Sequence, residues 1–184
     1  SPPMQQFIDG MENAVERLEA IRSTLGRTHP EFTDLEIPTR VVDSVTLSTM
    51  HGCPPDEIEQ IARYLIEERG LHTTVKLNPT LLGKESVLQI LHQELGYRDI
   101  EIPDRVFEQD LQYDRALALI RSLQTSAVDR GVTFGIKLSN TLAMRNHRDV
   151  LPGDEMYMSG RALFPITVQL FGRLVQDIGD QLNV

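Results

Sequence analysis

Cysteine is almost absent from this sequence, which contains Cys53 alone, and tryptophan is missing altogether. A single cysteine excludes a disulfide within the chain and excludes iron–sulfur ligation by four thiolates of this chain. A chain without disulfides is typical of a reducing compartment, so we predict a cytoplasmic protein. Apolar runs of the ~18 residues that a membrane-spanning helix needs are also missing, which predicts no membrane insertion.

Clusters of lysine and arginine are lacking too, and the net charge is −9. Because binding to nucleic acid depends on basic surface, we predict no nucleic-acid partner. The 184 residues, 40% of them hydrophobic, suffice for one folded core. We interpret the chain, which opens on Ser-Pro-Pro, as a fragment of a larger protein.

β-Branched segments alternate with segments of helical periodicity, which predicts an α/β fold with a parallel sheet. The predicted strands are Val41–Ser48, Thr73–Asn78, Asp99–Ile102 and Val132–Asn140. The predicted helices are 4–25, Pro54–Gly70, Lys84–Leu95, Pro103–Arg130 (one helix or a broken pair) and Arg161–Leu182. We therefore divide the chain into an N-terminal helix and connection, 1–40, and β/α units, 41–184.

Each predicted strand has one apolar and one polar face, because successive side chains of a strand point to opposite sides. Val75 and Leu77 oppose Lys76 and Asn78, for example. An open sheet covered by helices on both sides would be apolar on both faces, and no glycine-rich nucleotide fingerprint is present. The pattern favours a partial TIM-type (β/α) barrel, about half to two-thirds of a barrel with parallel strands, because a complete one usually needs about 250 residues.

Two similar strand ends are the strongest candidates for a binding site: Lys76-Leu-Asn-Pro-Thr80 and Lys137-Leu-Ser-Asn-Thr141. A lysine that faces the inside of a barrel needs an anionic partner or a chemical role. Barrels place their sites at the carboxyl ends of the strands. The alternatives are a lysine that reaches the rim or pairs with a barrel carboxylate, and a Schiff-base lysine of a lyase or aldolase.

Two connecting segments could add to that site. Residues 48–55 link a strand to a helix, and His51 with Cys53 could form a nucleophile–base pair or two metal ligands. A structural turn that needs small residues is the favoured alternative, and we predict no metal site. Thr141–Gly160 is predicted to be a long loop, either a lid or a disordered excursion.

Four segments carry a close resemblance to one family: Val45–Pro55, Val75–Thr80, Lys137–Thr141 and Pro152–Pro165. They resemble the N-terminal region of the selenate reductase iron–sulfur subunit family over nearly the whole chain. The resemblance implies a flavin-type barrel in a larger oxidoreductase. It also implies a glutamate-synthase-like FAD/NAD(P)H module and ferredoxin-type iron–sulfur motifs elsewhere in that protein.

More distantly, the barrel is similar to the FMN barrels of dihydropyrimidine and dihydroorotate dehydrogenases. The resemblance implies that Lys76 contacts an FMN-like flavin, with Thr46 and Asn78 beside it. It implies that Asn140 and Thr141 lie at the flavin or substrate edge, and that Lys137 and the Ser-Gly pair of Ser159 and Gly160 face the substrate. Three features depart from the family: Thr46 replaces its asparagine, its acid/base loop is not recognisable, and an extra unit at Asp99–Arg130 separates the lysine strands.

Two functions follow from this resemblance. The first is an oxidoreductase barrel that binds flavin and a small substrate and exchanges electrons with modules elsewhere in the larger protein. The second is a non-catalytic docking barrel that has lost its flavin. In both cases we expect the isolated chain to be inactive and not to retain FMN. Its partners would be the other domains, or a second copy that pairs with an exposed sheet edge.

Overall fold

The computed structural model describes residues 1–48, 52–149 and 151–179. It divides into two compact units, Ser1–Val45 and Thr46–Val184. The domain boundary predicted after residue 40 stays a prediction. None of the described helices combines the length and the apolarity that a membrane crossing requires.

The smaller unit contains two helices where the sequence predicts one. Helix α1 (Pro2–Glu12) ends before Asn13, and α2 (Val15–Thr28) begins two residues later. At the break, the backbone N–H of Ala14 donates to the carbonyl of Thr39 at 2.8 Å instead of continuing the helical ladder. Ala14 is the only buried apolar side chain described in this unit.

The larger unit is built on a three-stranded sheet in the order β1-β2-β3, in which β2 and β3 run parallel. Strand β1 crosses the boundary between the units, and its residues Thr46–Ser48 belong to the larger one. After α2, the elements are β1 (Ser44–Ser48), α3 (Pro55–Arg63), β2 (His72–Leu77), α4 (Lys84–Leu88), α5 (Asp104–Gln109), α6 (Tyr113–Arg130), β3 (Phe134–Leu138), β4 (Leu142–Arg145), β5 (Glu155–Met158) and α7 (Phe164–Ile178). Helices α3 and α4 each continue as a π-helical turn, Tyr64–Glu68 and Gln89–Glu94.

The core lies between one face of the sheet and the helices. Val75 and Ile136 bury their side chains there, and α6 contributes apolar side chains at helical spacing: Ala116, Leu119, Ile120, Leu123 and Ala127. Helix α3 begins at Pro55 with Asp56 and Glu57 in its first turn, where the positive end of the helix dipole stabilises acidic side chains.

The predicted alternation of apolar and polar side chains is seen in β2, where every second residue is buried.

Two elements predicted in the larger unit are wrong. Asp99–Ile102 is not a strand: Asp99 lies in a turn, and residues 100–102 join no ladder. The N–H of Arg145 donates to the carbonyl of Glu101 at 2.8 Å, and Pro103 has no N–H that could extend this pairing. Thr141–Gly160 is not a loop, because it contains the antiparallel pair β4 and β5. This hairpin forms because Leu142, Ala143 and Met144 on β4 and Met158 on β5 are buried.

Candidate functional site

Two lysines lie side by side on the polar face of the sheet. Lys76 and Lys137 are register partners on β2 and β3, so their Cα atoms are about 4.8 Å apart. Lys76 is half-buried and Lys137 is exposed, which corrects the expectation that both are enclosed. The chain has only three lysines, and the third, Lys84, pairs with Asp104 at 2.6 Å.

Neither Lys76 nor Lys137 forms an ion pair with another described residue. Two ammonium groups at neighbouring positions repel each other, and the repulsion is relieved when an anion binds between them. The geometry therefore creates a cationic patch, Lys76 with Lys137, on the open face of the sheet. A patch of this kind favours a ligand with a negative or electron-rich edge.

Beyond this patch, two buried asparagines join the carboxyl ends of β2 and β3. The Nδ2 of Asn140 donates to the Oδ1 of Asn78 at 2.8 Å, and the backbone N–H of Asn140 donates to the carbonyl of Leu77 at 2.8 Å. Both asparagine side chains are 8% exposed. Because each amide is held by the other, their orientation is fixed before any ligand arrives.

The carboxyl ends of β2 and β3 form a rim, and strand β1 extends it. The hydroxyl of Ser48, the last residue of β1, donates to the Oδ1 of Asn140 at 3.4 Å. Thr46 lies two residues earlier on the same face and is exposed, while Thr141 is half-buried next to Asn140. The structure thus brings the predicted residues of three strand ends together, although their predicted roles stay untested.

The segment that follows β1 gives little support for the predicted nucleophile or metal ligands. His51 lies outside the described residues, so the predicted nucleophile–base pair stays a prediction. Cys53 is half-buried, and its burial, followed by the negative charge of Glu57, raises the pKa of its thiol. A raised pKa disfavours the thiolate that nucleophilic attack or metal ligation requires. No group of three metal-ligating side chains is found within residues 1–48, 52–149 and 151–179.

The predicted lid is a packed hairpin. Arg145 pairs with Glu101, and Arg105 pairs with Glu155, so charged side chains attach the hairpin to the first turn of α5 and to the segment before it. Ser159 and Gly160 follow it and are exposed. No hydrogen bond joins either residue to the strand-end asparagines in the described part of the chain.

Asp110 is a site residue that the sequence did not reveal. The residue is 4% exposed, and its carboxylate lies against the strand ends, where it accepts the N–H of Gly52 and the hydroxyl of Thr80. Thr80 follows β2, but Asp110 comes from the connection between α5 and α6. A lone Asp in a turn carries no signal that it will be buried at another strand's end.

A parallel sheet with helices on its apolar face and polar side chains at its carboxyl ends is typical of (β/α)-barrel domains. The model for the family described as "Oxidoreductase YgfK, N-terminal TIM-barrel domain" matches residues 1–184. The chain belongs to this family. The predicted partial barrel is therefore confirmed: β2 and β3 pair in parallel, and the sheet of β1, β2 and β3 does not close within the described residues.

Two curated relatives are both named "Putative oxidoreductase YgfK", from Escherichia coli strain K12 and from Escherichia coli O157:H7. Each is 44% identical over 202 residues, and the match covers 100% of this chain. The chain spans 20% of the length of these relatives. No solved structure matches the chain. The family confirms the predicted N-terminal barrel domain of an oxidoreductase.

Proposed function

We propose that this domain binds an FMN-like flavin at the carboxyl ends of β1, β2 and β3, within an oxidoreductase that resembles the selenate reductase iron–sulfur subunit. The observation that carries the proposal is the cationic patch, Lys76 with Lys137, beside the fixed amides of Asn78 and Asn140. A flavin would supply hydride and electron transfer when bound.

The residues present fit the ring of a flavin. The ammonium of Lys76 would lie at its electron-rich edge and stabilise negative charge there. Asn78 and Asn140 would orient the ring, with Thr46 and Thr141 at its periphery. Lys137, which is exposed, would face the substrate, as would Ser159 and Gly160. The phosphate would have to be held by residues other than these.

The proposed partners are the FAD/NAD(P)H and iron–sulfur modules that the resemblance implies. The share of the relatives' length that the chain spans, 20%, leaves room for such modules in a protein of their size. A cytoplasmic location is part of the same proposal, because it suits a chain with one cysteine.

The direct test is FMN binding by the full-length protein, measured by quenching of flavin fluorescence. We expect Lys76→Met to weaken binding at least about tenfold, since an interaction with a charged group is worth about 1.5–3 kcal/mol. Lys84→Met is the matched control, because Lys84 is exposed and already paired with Asp104. Absence of FMN binding by the unaltered full-length protein would refute the proposal, and equal effects of both variants would refute the role of Lys76.

A docking domain without flavin is the second candidate, and helix α7 favours it. Four large apolar side chains recur on one exposed stripe of α7: Phe164 (68% exposed), Val168 (49%), Phe171 (41%) and Val175 (39%). An exposed stripe at this spacing is typical of a surface that another element covers. We propose that the other domains of a protein as long as the relatives cover this stripe.

Chemical crosslinking of the full-length protein tests this docking surface. We expect the double variant Phe164→Ser, Phe171→Ser to abolish crosslinks between α7 and the other domains of the full-length protein. The Tm of the isolated domain should stay unchanged. Val128→Ser is the control, because Val128 is 78% exposed but lies on α6. Crosslinks between two copies instead would assign the stripe to a dimer and contradict the proposal.

A further inference from the structure

Asp110 is held in place by its own connection. It follows α5, and the side chain of Gln112 donates to the carbonyls of Phe107 and Asp110 at 2.8 and 2.9 Å. The next residue, Leu111, is buried at 7% exposure. The connection between α5 and α6 is therefore fixed, and it directs the carboxylate toward the strand ends.

The two oxygens of this carboxylate bind two different strand ends. Oδ1 accepts the backbone N–H of Gly52 at 3.0 Å, and Oδ2 accepts the hydroxyl of Thr80 at 2.7 Å. Gly52 belongs to the segment after β1, and Thr80 to the segment after β2. One side chain from a third segment therefore joins the connections that follow two neighbouring strands.

Burial makes this junction specific. A buried carboxylate is tolerated where its oxygens accept hydrogen bonds, and bonds to a charged acceptor are stronger than those between neutral groups. Gly52 has a φ of +76°, a conformation that residues with a side chain rarely adopt. Its N–H is aimed at Asp110 in that conformation, so both partners are constrained.

We propose that Asp110 is a positioning residue that clamps the segment after β1 to the end of β2 and so keeps the rim of the binding site preformed. The link to ligand binding rests on the proposed function, whereas the clamp itself does not. The residue comes from the extra unit at Asp99–Arg130, which separates the two lysine strands. This unit would thus contribute to the site as well as to the fold.

The clamp can be tested without any ligand, because Cys53 follows Gly52 and is the only cysteine. In the full chain we expect Asp110→Asn to accelerate both alkylation of Cys53 by iodoacetamide and hydrogen exchange of the Gly52 amide. The expected acceleration is about tenfold, since asparagine removes the charge and one acceptor oxygen. Thr80→Val should act in the same direction with a smaller effect, and Thr80→Ser, which keeps the hydroxyl, should react like the unaltered chain.

Thr80→Val keeps the proposal testable if Asp110→Asn does not fold. Unchanged alkylation and exchange rates in a folded Asp110→Asn or Thr80→Val variant would overturn the clamp. Equal acceleration by Thr80→Ser and Thr80→Val would also overturn it, because the hydroxyl would then be irrelevant.

The ligand arm uses FMN and the full-length protein. We expect Asp110→Asn to raise the Kd for FMN about tenfold, by loosening a preformed rim. An unchanged Kd with faster Cys53 alkylation would overturn the link between the clamp and the site. If the unaltered protein does not bind FMN, the proposed function fails, and the alkylation and exchange rates still decide whether the clamp exists.

Discussion

The two faces of the sheet formed by β1, β2 and β3 are made by the same strands and differ in what covers them. Val75 and Ile136 are 0% and 2% exposed beneath the helices. Lys76 and Lys137, the next residues along the same strands, are half-buried and exposed. The comparison indicates that stability depends on the covered face, whereas the open face can carry polar and charged side chains because no helix covers it.

The largest effect is expected on the covered face. Ile136→Ala should lower the free energy of unfolding by about 2–5 kcal/mol, because it removes apolar surface and leaves a cavity. Urea denaturation followed by circular dichroism measures this change. Lys137→Ala is the matched control on the neighbouring residue, and a loss of similar size in both variants would remove the distinction between the faces.

An intermediate loss of stability is expected at the rim that the carboxyl ends of the strands form. Asn140→Ala removes the amide that donates to the Oδ1 of Asn78 and to the backbone carbonyl of Lys76, so the buried side chain of Asn78 loses a hydrogen bond. We expect the free energy of unfolding to fall by about 1–3 kcal/mol. Thr141→Ala, at the next position, which is half-buried, should lower the free energy of unfolding by less. A larger loss for Thr141→Ala than for Asn140→Ala would contradict the stabilising role of the asparagine pair.

The helices over the covered face add a pH-dependent contribution through Glu59 on α3. Burial tends to raise the pKa of this carboxyl, but hydrogen bonds from Arg115 and Ser122 outweigh it, and the pKa is lowered. A lowered pKa stabilises the fold above the ordinary value of 4.5, and the stabilisation is lost as the pH falls through the folded-state pKa.

We therefore expect Glu59→Gln to cost about 1–2 kcal/mol at pH 7. The difference from the unaltered chain should shrink as urea melts are repeated at decreasing pH below 4.5. Glu57→Gln, in the first turn of the same helix, is the control. A difference that stays constant with pH would exclude the ionised carboxyl as its cause.

The smallest effect is expected on the open face. Lys76→Met should change the free energy of unfolding by no more than about 0.5 kcal/mol, as for most surface substitutions. Because Lys76 and Lys137 repel each other, added salt should stabilise the unaltered chain slightly more than the variant. Thermal melts at low and high salt measure this, and a destabilisation near that of Ile136→Ala would place Lys76 in the core.

Local patterns predicted the parts of the fold that depend on neighbouring residues. Alternation placed Val75 and Lys76 on opposite faces, which the burial of β2 confirms. The same reasoning missed the hairpin, because Met144 becomes a strand residue only when it pairs with Met156. It also took Asp99–Ile102 for a strand, since a short alternating segment carries no information about whether a second strand will lie beside it.

The site divides in a similar way. Asn78 and Asn140 could be named from strand ends that resemble each other and from the family pattern. Their hydrogen bond depends on the parallel register of β2 and β3, and that register is set by packing along both strands. Asp110 could not be named, because its contacts with Gly52 and Thr80 join segments that are distant in the chain.

The sequence by itself determined an α/β chain of alternating strands and helices, with one apolar and one polar face on each strand and with lysine, asparagine and hydroxyl residues at the strand ends. Tertiary structure decided that Lys76 lies beside Lys137, that the amides of Asn78 and Asn140 bind each other, and that Asp110 joins two strand ends. The physical reason is range: side-chain alternation is a property of a single strand, whereas register and burial depend on which distant segments pack together.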